Sequence, residues 1–192
     1  SLCNITFMRK YGNQAISGTG ATNNFNNIVC NVGNSISNTL DVFSSNFTAP
    51  TNFLTLTNGT FKLSTTNTSN LTLFTAAASV PQTTGLWLNS ANSTINTGAG
   101  ITLTGKITVS NGTMNIGNAA NEDLLSSGGS FSVSGGVVNI AGKYYSTGIN
   151  NLTYFSISGG TINVPTVGST DATNAPFQIT GAGSTFNMSG GI

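Results

Sequence analysis

The sequence predicts an all-β fold, a right-handed parallel β-helix of about eight rungs with roughly 20–24 residues in each regular rung. Three observations carry that reading. The phrase FSVSGGVVNI starting at Phe131 returns as FSISGGTINV starting at Phe155, 24 residues later. Apolar and polar residues alternate almost everywhere, and the alternating segments meet at Asn-Gly or Gly-Gly corners, which tolerate positive φ at little cost. Charged residues make up only 5% of the chain, and no apolar period of 3.6 residues is sustained long enough for a helix.

The 192 residues read as a single β-helix segment of a longer chain, with irregular first rungs over 1–50 and regular rungs over 51–192. In the first part, strands are expected at 2–8, 25–31 and 36–43, with a Gly-rich corner near 18–20. Leu54/Leu56 followed by Phe61/Leu63 is read as the first clear copy of the unit. Ile107/Val109 with Met114/Ile116, Phe131/Val133 with Val138/Ile140, and Phe155/Ile157 with Ile162/Val164 keep the same spacing. Leu86/Leu88 with Ile95, and Phe177/Ile179 with Phe186/Met188, are looser copies, while Leu71–Leu73 and Ile101–Leu103 supply extra strands. Starts at 107, 131, 155 and 177 are 24, 24 and 22 residues apart, which separates stacked rungs from a run of hairpins.

Rungs of constant length place equivalent side chains above one another, about 4.8 Å apart. The expected inward columns are Phe131, Phe155, Phe177; Val133, Ile157, Ile179; and Ile116, Ile140, Val164, Met188. Asn115, Asn139, Asn163 and Asn187 form the expected outward column, first as a hydrogen-bonded amide ladder and second as a polar binding face. Thr108, Ser132, Ser156 and Gln178 are expected to face out on the preceding strand. The connections 64–85, 117–130, 141–154 and 165–176 read as variable loops, with Glu122, Asp123, Tyr144 and Tyr145 as a candidate binding face.

Reactive chemistry is sparse. There is no His, the commonest general base and metal ligand, and the carboxylates are Asp41, Glu122, Asp123 and Asp171. Glu122 and Asp123 are neighbours, which on a strand point to opposite faces and make a poor catalytic pair. Calcium sites draw on several carboxylates, and no Asp recurs at a fixed place in the repeat. No catalytic residue, metal ligand or cofactor is expected. The basic residues Arg9, Lys10, Lys62, Lys106 and Lys143 are scattered, which argues against nucleic acid. No apolar run reaches the roughly 20 residues of a membrane span. Cys3 and Cys30, 27 residues apart, read as a stacked apolar pair or a disulfide. A regular Thr-x-Thr array, as ice binding requires, is lacking beyond Thr102/Thr104.

The phrase NQAISGTG from Asn13, FNNI from Phe25 and the iterated Ser-Gly-Gly-x-Ile/Val-Asn-Ile/Val unit resemble segments of large, repetitive, secreted β-helix proteins of Bacteroidota. The resemblance implies a cell-surface adhesin exported by the type IX secretion system, with glycans, cell surfaces, other surface proteins and the secretion machinery as partners. The expectation is therefore a non-enzymatic, extracellular or cell-surface bacterial segment that displays or spaces binding surfaces. The alternative expectation is a carbohydrate-active β-helix, of the polysaccharide lyase or phage tailspike kind, with its site partly outside these residues.

Overall fold

A computed structural model describes residues 3–9, 12–19, 23–146, 153–164, 175–181 and 183–192. It is a parallel β-solenoid with no helix among the described residues, and every strand ladder described is parallel. Each turn visits three faces in the same order. On the first face lie Gln14–Ile16, Thr39–Val42, residues 60–63, 85–88 and 106–109, Ser130–Val133, Tyr154–Ile157 and Thr185–Met188, paired in that order. On the second lie Ser69–Phe74, residues 93–97 and 113–116, Val137–Ile140 and Thr161–Asn163. On the third lie Ala78–Val80, Ile101–Leu103, Leu124–Ser126, Tyr144–Ser146 and Phe177–Gln178. Cys3–Arg9, residues 25–32 and residues 54–58 take the corresponding place in the earlier turns. About six turns are complete, fewer than the eight rungs expected. Eight strand segments do stack on the first face, but the last level has no strand on the second face.

The corner between first and second faces explains the Gly-Gly signal. Gly112, Gly136, Gly160 and Gly191 all have positive φ, from 75° to 89°. They sit directly over one another: a Cβ on Gly136 would lie 2.4 Å from the Gly112 carbonyl oxygen, and one on Gly160 2.7 Å from that of Gly136. Only a residue with no Cβ allows both the left-handed turn and the spacing between levels.

Inward side chains fill a narrow core. Phe131, Val133, Phe155, Leu86, Leu88, Ile107, Val109, Met114 and Ile116 are buried. The Phe131 and Phe155 rings meet at a tilt of 52° with 5.5 Å between centroids, and Phe155 and Phe186 stack at 5.2 Å. Burying the Phe131 and Phe155 rings contributes about 1.5–3 kcal/mol each, and a ring pair about 1 kcal/mol more, while Phe186 stays half exposed at the end of the column.

Four assignments change. Phe177 does not continue the Phe131/Phe155 column; it pairs with Tyr144 on the third face, and Phe186 stands over Phe155. Met188 accordingly stands over Ile157, where Ile179 was expected, and not in the Ile116/Ile140 column. Gln178 likewise gives way to Asn187, which pairs with Ser156. Phe61/Leu63 pair with Leu86/Leu88 on the first face, so Leu54–Leu63 is offset by one face from the later copies. The cause is common to all four: a Gly corner between two alternating segments looks alike whichever two faces it joins. The connections 64–85, 117–130 and 141–154 each contain a short third-face strand and are not simple loops.

Candidate functional site

The outward column of the second face is an amide ladder. Asn163 Nδ2 donates to Asn139 Oδ1 at 2.8 Å, Asn139 to Asn115 at 2.7 Å, Asn115 to Asn96 at 2.8 Å and Asn96 to Asn70 at 2.6 Å. The first three links join residues paired across the strands; Asn70 pairs with Thr94, so the last link is diagonal. Asn96 and Asn70 extend the ladder beyond the expected members. Asn187 does not belong to it, because Thr185–Met188 lies on the first face. Beside the ladder runs a groove of ≈ 660 Å³, lined by Asn115, Asn139 and Asn163 and by Ile140, Ile162 and Val164. Single amide links, Asn26 to Asn4 at 2.8 Å and Asn58 to Asn31 at 2.9 Å, serve the early turns.

The expected loop face comes apart. Glu122 accepts hydrogen bonds from the backbone N–H groups of Asn118 and of Ala119 (2.9 Å for Ala119), closing its own turn. Asp123 Oδ1 accepts from the Lys143 N–H at 2.8 Å, one level on. Both carboxylates thus hold backbone donors. Tyr144 is fully buried and faces inward, within 5.0 Å of the rings of Phe155 and Phe177. It cannot form part of a surface. Its hydroxyl has no hydrogen-bond partner among the described residues, and burial pushes its pKa up to about 12, offset only in part by the nearby Ser126 side chain. Only Tyr145 points out, with Lys143 Nζ 4.9 Å from its ring centre. Asp171 lies outside the described residues.

Cys3 and Cys30 do not stack. Cys3 pairs with Phe25 and Cys30 with Phe7, so four residues along one strand and five along the other separate the two cysteines, roughly 13–16 Å at strand rise and well beyond disulfide reach. Cys30 is a free, buried thiol, with its pKa pushed up to about 12 by that burial.

The outward column of the first face runs Asp41, Lys62, Trp87, Thr108, Ser132, Ser156, Asn187. Lys62 Nζ lies 2.7 Å from Asp41 Oδ2 and 4.6 Å from the centre of the Trp87 ring. Ser64 Oγ also donates to Asp41. Trp87 Nε1 donates to Ser110 Oγ at 3.1 Å. The sequence offered little to pick out Trp87 beyond its being the chain's single tryptophan, outward between two inward leucines. Among the described residues no three His, Cys, Asp or Glu side chains gather as a metal site would need. No described helix is long and apolar enough to cross a membrane, which leaves strand-crossing untouched. Comparison with protein-family models, with curated proteins and with solved structures found no match.

Proposed function

We propose that this chain is a non-enzymatic, adhesin-like segment of an extracellular or cell-surface protein, a stiff rod that carries a binding face along its length. The supporting observation is how its polar groups are distributed. The Asn ladder, Glu122 and Asp123 are engaged in joining one level to the next or in closing turns, while grooves run along the outward faces. A rod so built keeps its shape without any ligand and offers a surface in fixed register. Its place outside the cell rests on low charge, Asn/Thr/Ser-rich strands and the resemblance noted above; glycans and cell surfaces are the partners that reading favours. The test is attachment of the purified protein to bacterial cells and to an immobilised glycan panel, run beside an assay for new reducing ends on the same polysaccharides. Binding without turnover is the expected result. Release of cleaved sugar would overturn the reading in favour of a carbohydrate-active enzyme, and absence of any binding would leave a pure spacer.

A further inference from the structure

The first face contains a small site built differently from everything around it. Two outward columns run side by side there. One is Thr39, Thr60, Gly85, Lys106, Ser130; the other is Asp41, Lys62, Trp87, Thr108, Ser132. At the level of Trp87 the first column carries no side chain at all, because the residue is Gly85. The gap is a depression of ≈ 240 Å³, lined by Trp87, Lys106, Thr108, Thr60 and Thr39. A Cβ placed on Gly85 would lie 2.4 Å from Thr60 Oγ1, which donates to the Ile36 carbonyl at 2.6 Å. Gly85 has no positive φ, so it is the closeness of Thr60 that excludes a side chain there and keeps the floor of the depression low.

The lining has a definite chemistry. Trp87 donates its ring N–H to Ser110, which fixes the indole, and Lys62 covers one side of the ring, so a ligand would meet hydrocarbon and π surface on the side away from Lys62. Lys62 is neutralised by Asp41 and lies over the same ring. Lys106, at the next level, has no ion-pair or hydrogen-bond partner among the described residues. An anchored aromatic plane, an uncompensated ammonium and the Thr39 and Thr108 hydroxyls suit a flat ring with apolar C–H edges, several hydroxyls and a negative charge; the Thr60 hydroxyl is already donated to Ile36 O. We propose that this depression is a subsite for an acidic saccharide, a uronic-acid unit whose ring packs on Trp87, whose carboxylate meets Lys106 and whose hydroxyls meet the threonines. The assignment rests on the reading of the rod as a binding segment and names the ligand class for one of its faces.

Trp87 is the only tryptophan, so its emission reports this site without background. The wild-type chain would be titrated with a galacturonic-acid tetramer, with its neutral galactose counterpart and with a short poly-glutamate peptide. The expected result is a saturable change in emission with the acidic sugar alone, weakening as salt is raised. Lys106→Gln should weaken it about fivefold, as loss of an exposed charge pair does. Gly85→Ser, whose Cβ would have to push the Thr60 side chain into the depression, should abolish it. Lys143→Gln, which removes a cation from the third face, should leave it unchanged, and melting curves for each variant confirm folding. An unchanged emission, an equal response to poly-glutamate or to the neutral sugar, or equal losses in the two lysine variants would each overturn the proposal. Attachment of the wild-type chain to cells, measured in parallel, decides the broader reading separately: cell binding that persists in Lys106→Gln with no acidic-sugar response sinks this site and leaves the adhesin.

Discussion

The second and first faces share one core and one corner but use their outward positions in opposite ways. On the second face the same residue recurs, from Asn96 through Asn163. An amide both donates and accepts, so identical residues stacked level on level satisfy each other in a continuous line. On the first face the outward residue changes at almost every level, and bonding is pairwise: Asp41 with Lys62, Lys62 with Trp87, Trp87 with Ser110. A repeated polar residue closes a ladder and leaves little over for a ligand. A column that breaks its repeat leaves groups such as Lys106 with capacity to spare. In a solenoid, then, regularity points to stacking and departure from regularity points to a site.

The sharpest way to break this comparison is to disturb what both faces depend on. Gly136 sits at their shared corner with φ 75°, and its Cβ would meet the Gly112 carbonyl oxygen at 2.4 Å. Backbone in the level below cannot swing aside as a side chain can. Gly136→Ala should therefore cost about 3 kcal/mol or more, read as a lower urea midpoint. Ser134→Ala, two residues earlier and exposed, should stay within about 0.5 kcal/mol. Equal effects would mean that the corner is looser than its geometry indicates.

Alkaline pH probes the inward side that the faces have in common. Burial raises the Cys30 pKa from 9.0 to about 12 and that of Tyr144 from 10.0 to about 12. A raised folded-state pKa means that the unfolded chain ionises first. Stability is then complete below pH 9, falls as the unfolded thiol ionises, and falls faster once the unfolded phenol joins it above pH 10. Each group contributes a slope of about 1.4 kcal/mol per pH unit within its window. Urea unfolding of the wild type and of Cys30→Ala between pH 8 and 11 isolates the thiol. Parallel curves for the two proteins would show that Cys30 is not held neutral by burial.

The ladder itself should register a smaller change. Asn139 donates to Asn115 and accepts from Asn163, so Asn139→Ala removes two amide links and leaves one donor and one acceptor without partners. The side chains are only partly buried, so water replaces some of the loss, and about 1–2 kcal/mol is expected. Ser132→Ala, at the same turn on the first face, should cost less than about 0.5 kcal/mol. If the two variants melt together, the amide column is not what holds these levels in register.

Legibility in the sequence follows the same division. The Ser-Gly-Gly-x-Ile/Val-Asn unit repeats at constant length through Phe131 and Phe155, and it revealed the solenoid, the core columns and three members of the ladder. Register was lost where turn length changes: Phe177 follows a longer turn, so counting residues put it one face too far along, on the first face instead of the third. The third-face strands are three residues long in Leu124–Ser126 and Tyr144–Ser146, too short for alternation to stand out from a loop. That is why Tyr144 read as a surface residue. Glu122 and Asp123 bond to backbone, which leaves no mark in the pattern of side chains. Trp87 and Gly85 matter because they do not repeat, and a search for repeats passes over them.

Tyr144→Phe offers the smallest effect and the most specific test of the inward side. The ring sits in an aromatic cluster with Phe131, Phe155 and Phe177, at 5.0 to 5.9 Å between centroids, and would be fully retained by phenylalanine. What the variant removes is a hydroxyl with no hydrogen-bond partner among the described residues. A buried polar group without a partner forfeits its hydration on folding and recovers nothing for it, so deleting it relieves a penalty. Against that, the ring loses one atom's worth of packing and a small void is left. The first effect outweighs the second when the void is smaller than a methyl group, so Tyr144→Phe should be neutral or up to about 1 kcal/mol more stable, with the alkaline slope above pH 10 reduced. A clear loss of stability would show that the hydroxyl is hydrogen-bonded in solution, with Ser126 as the first partner to test by the double variant. The Tyr144 hydroxyl would then join the buried pair that Ser126 and Thr153 already form at 3.3 Å, as part of a polar link inside the third face.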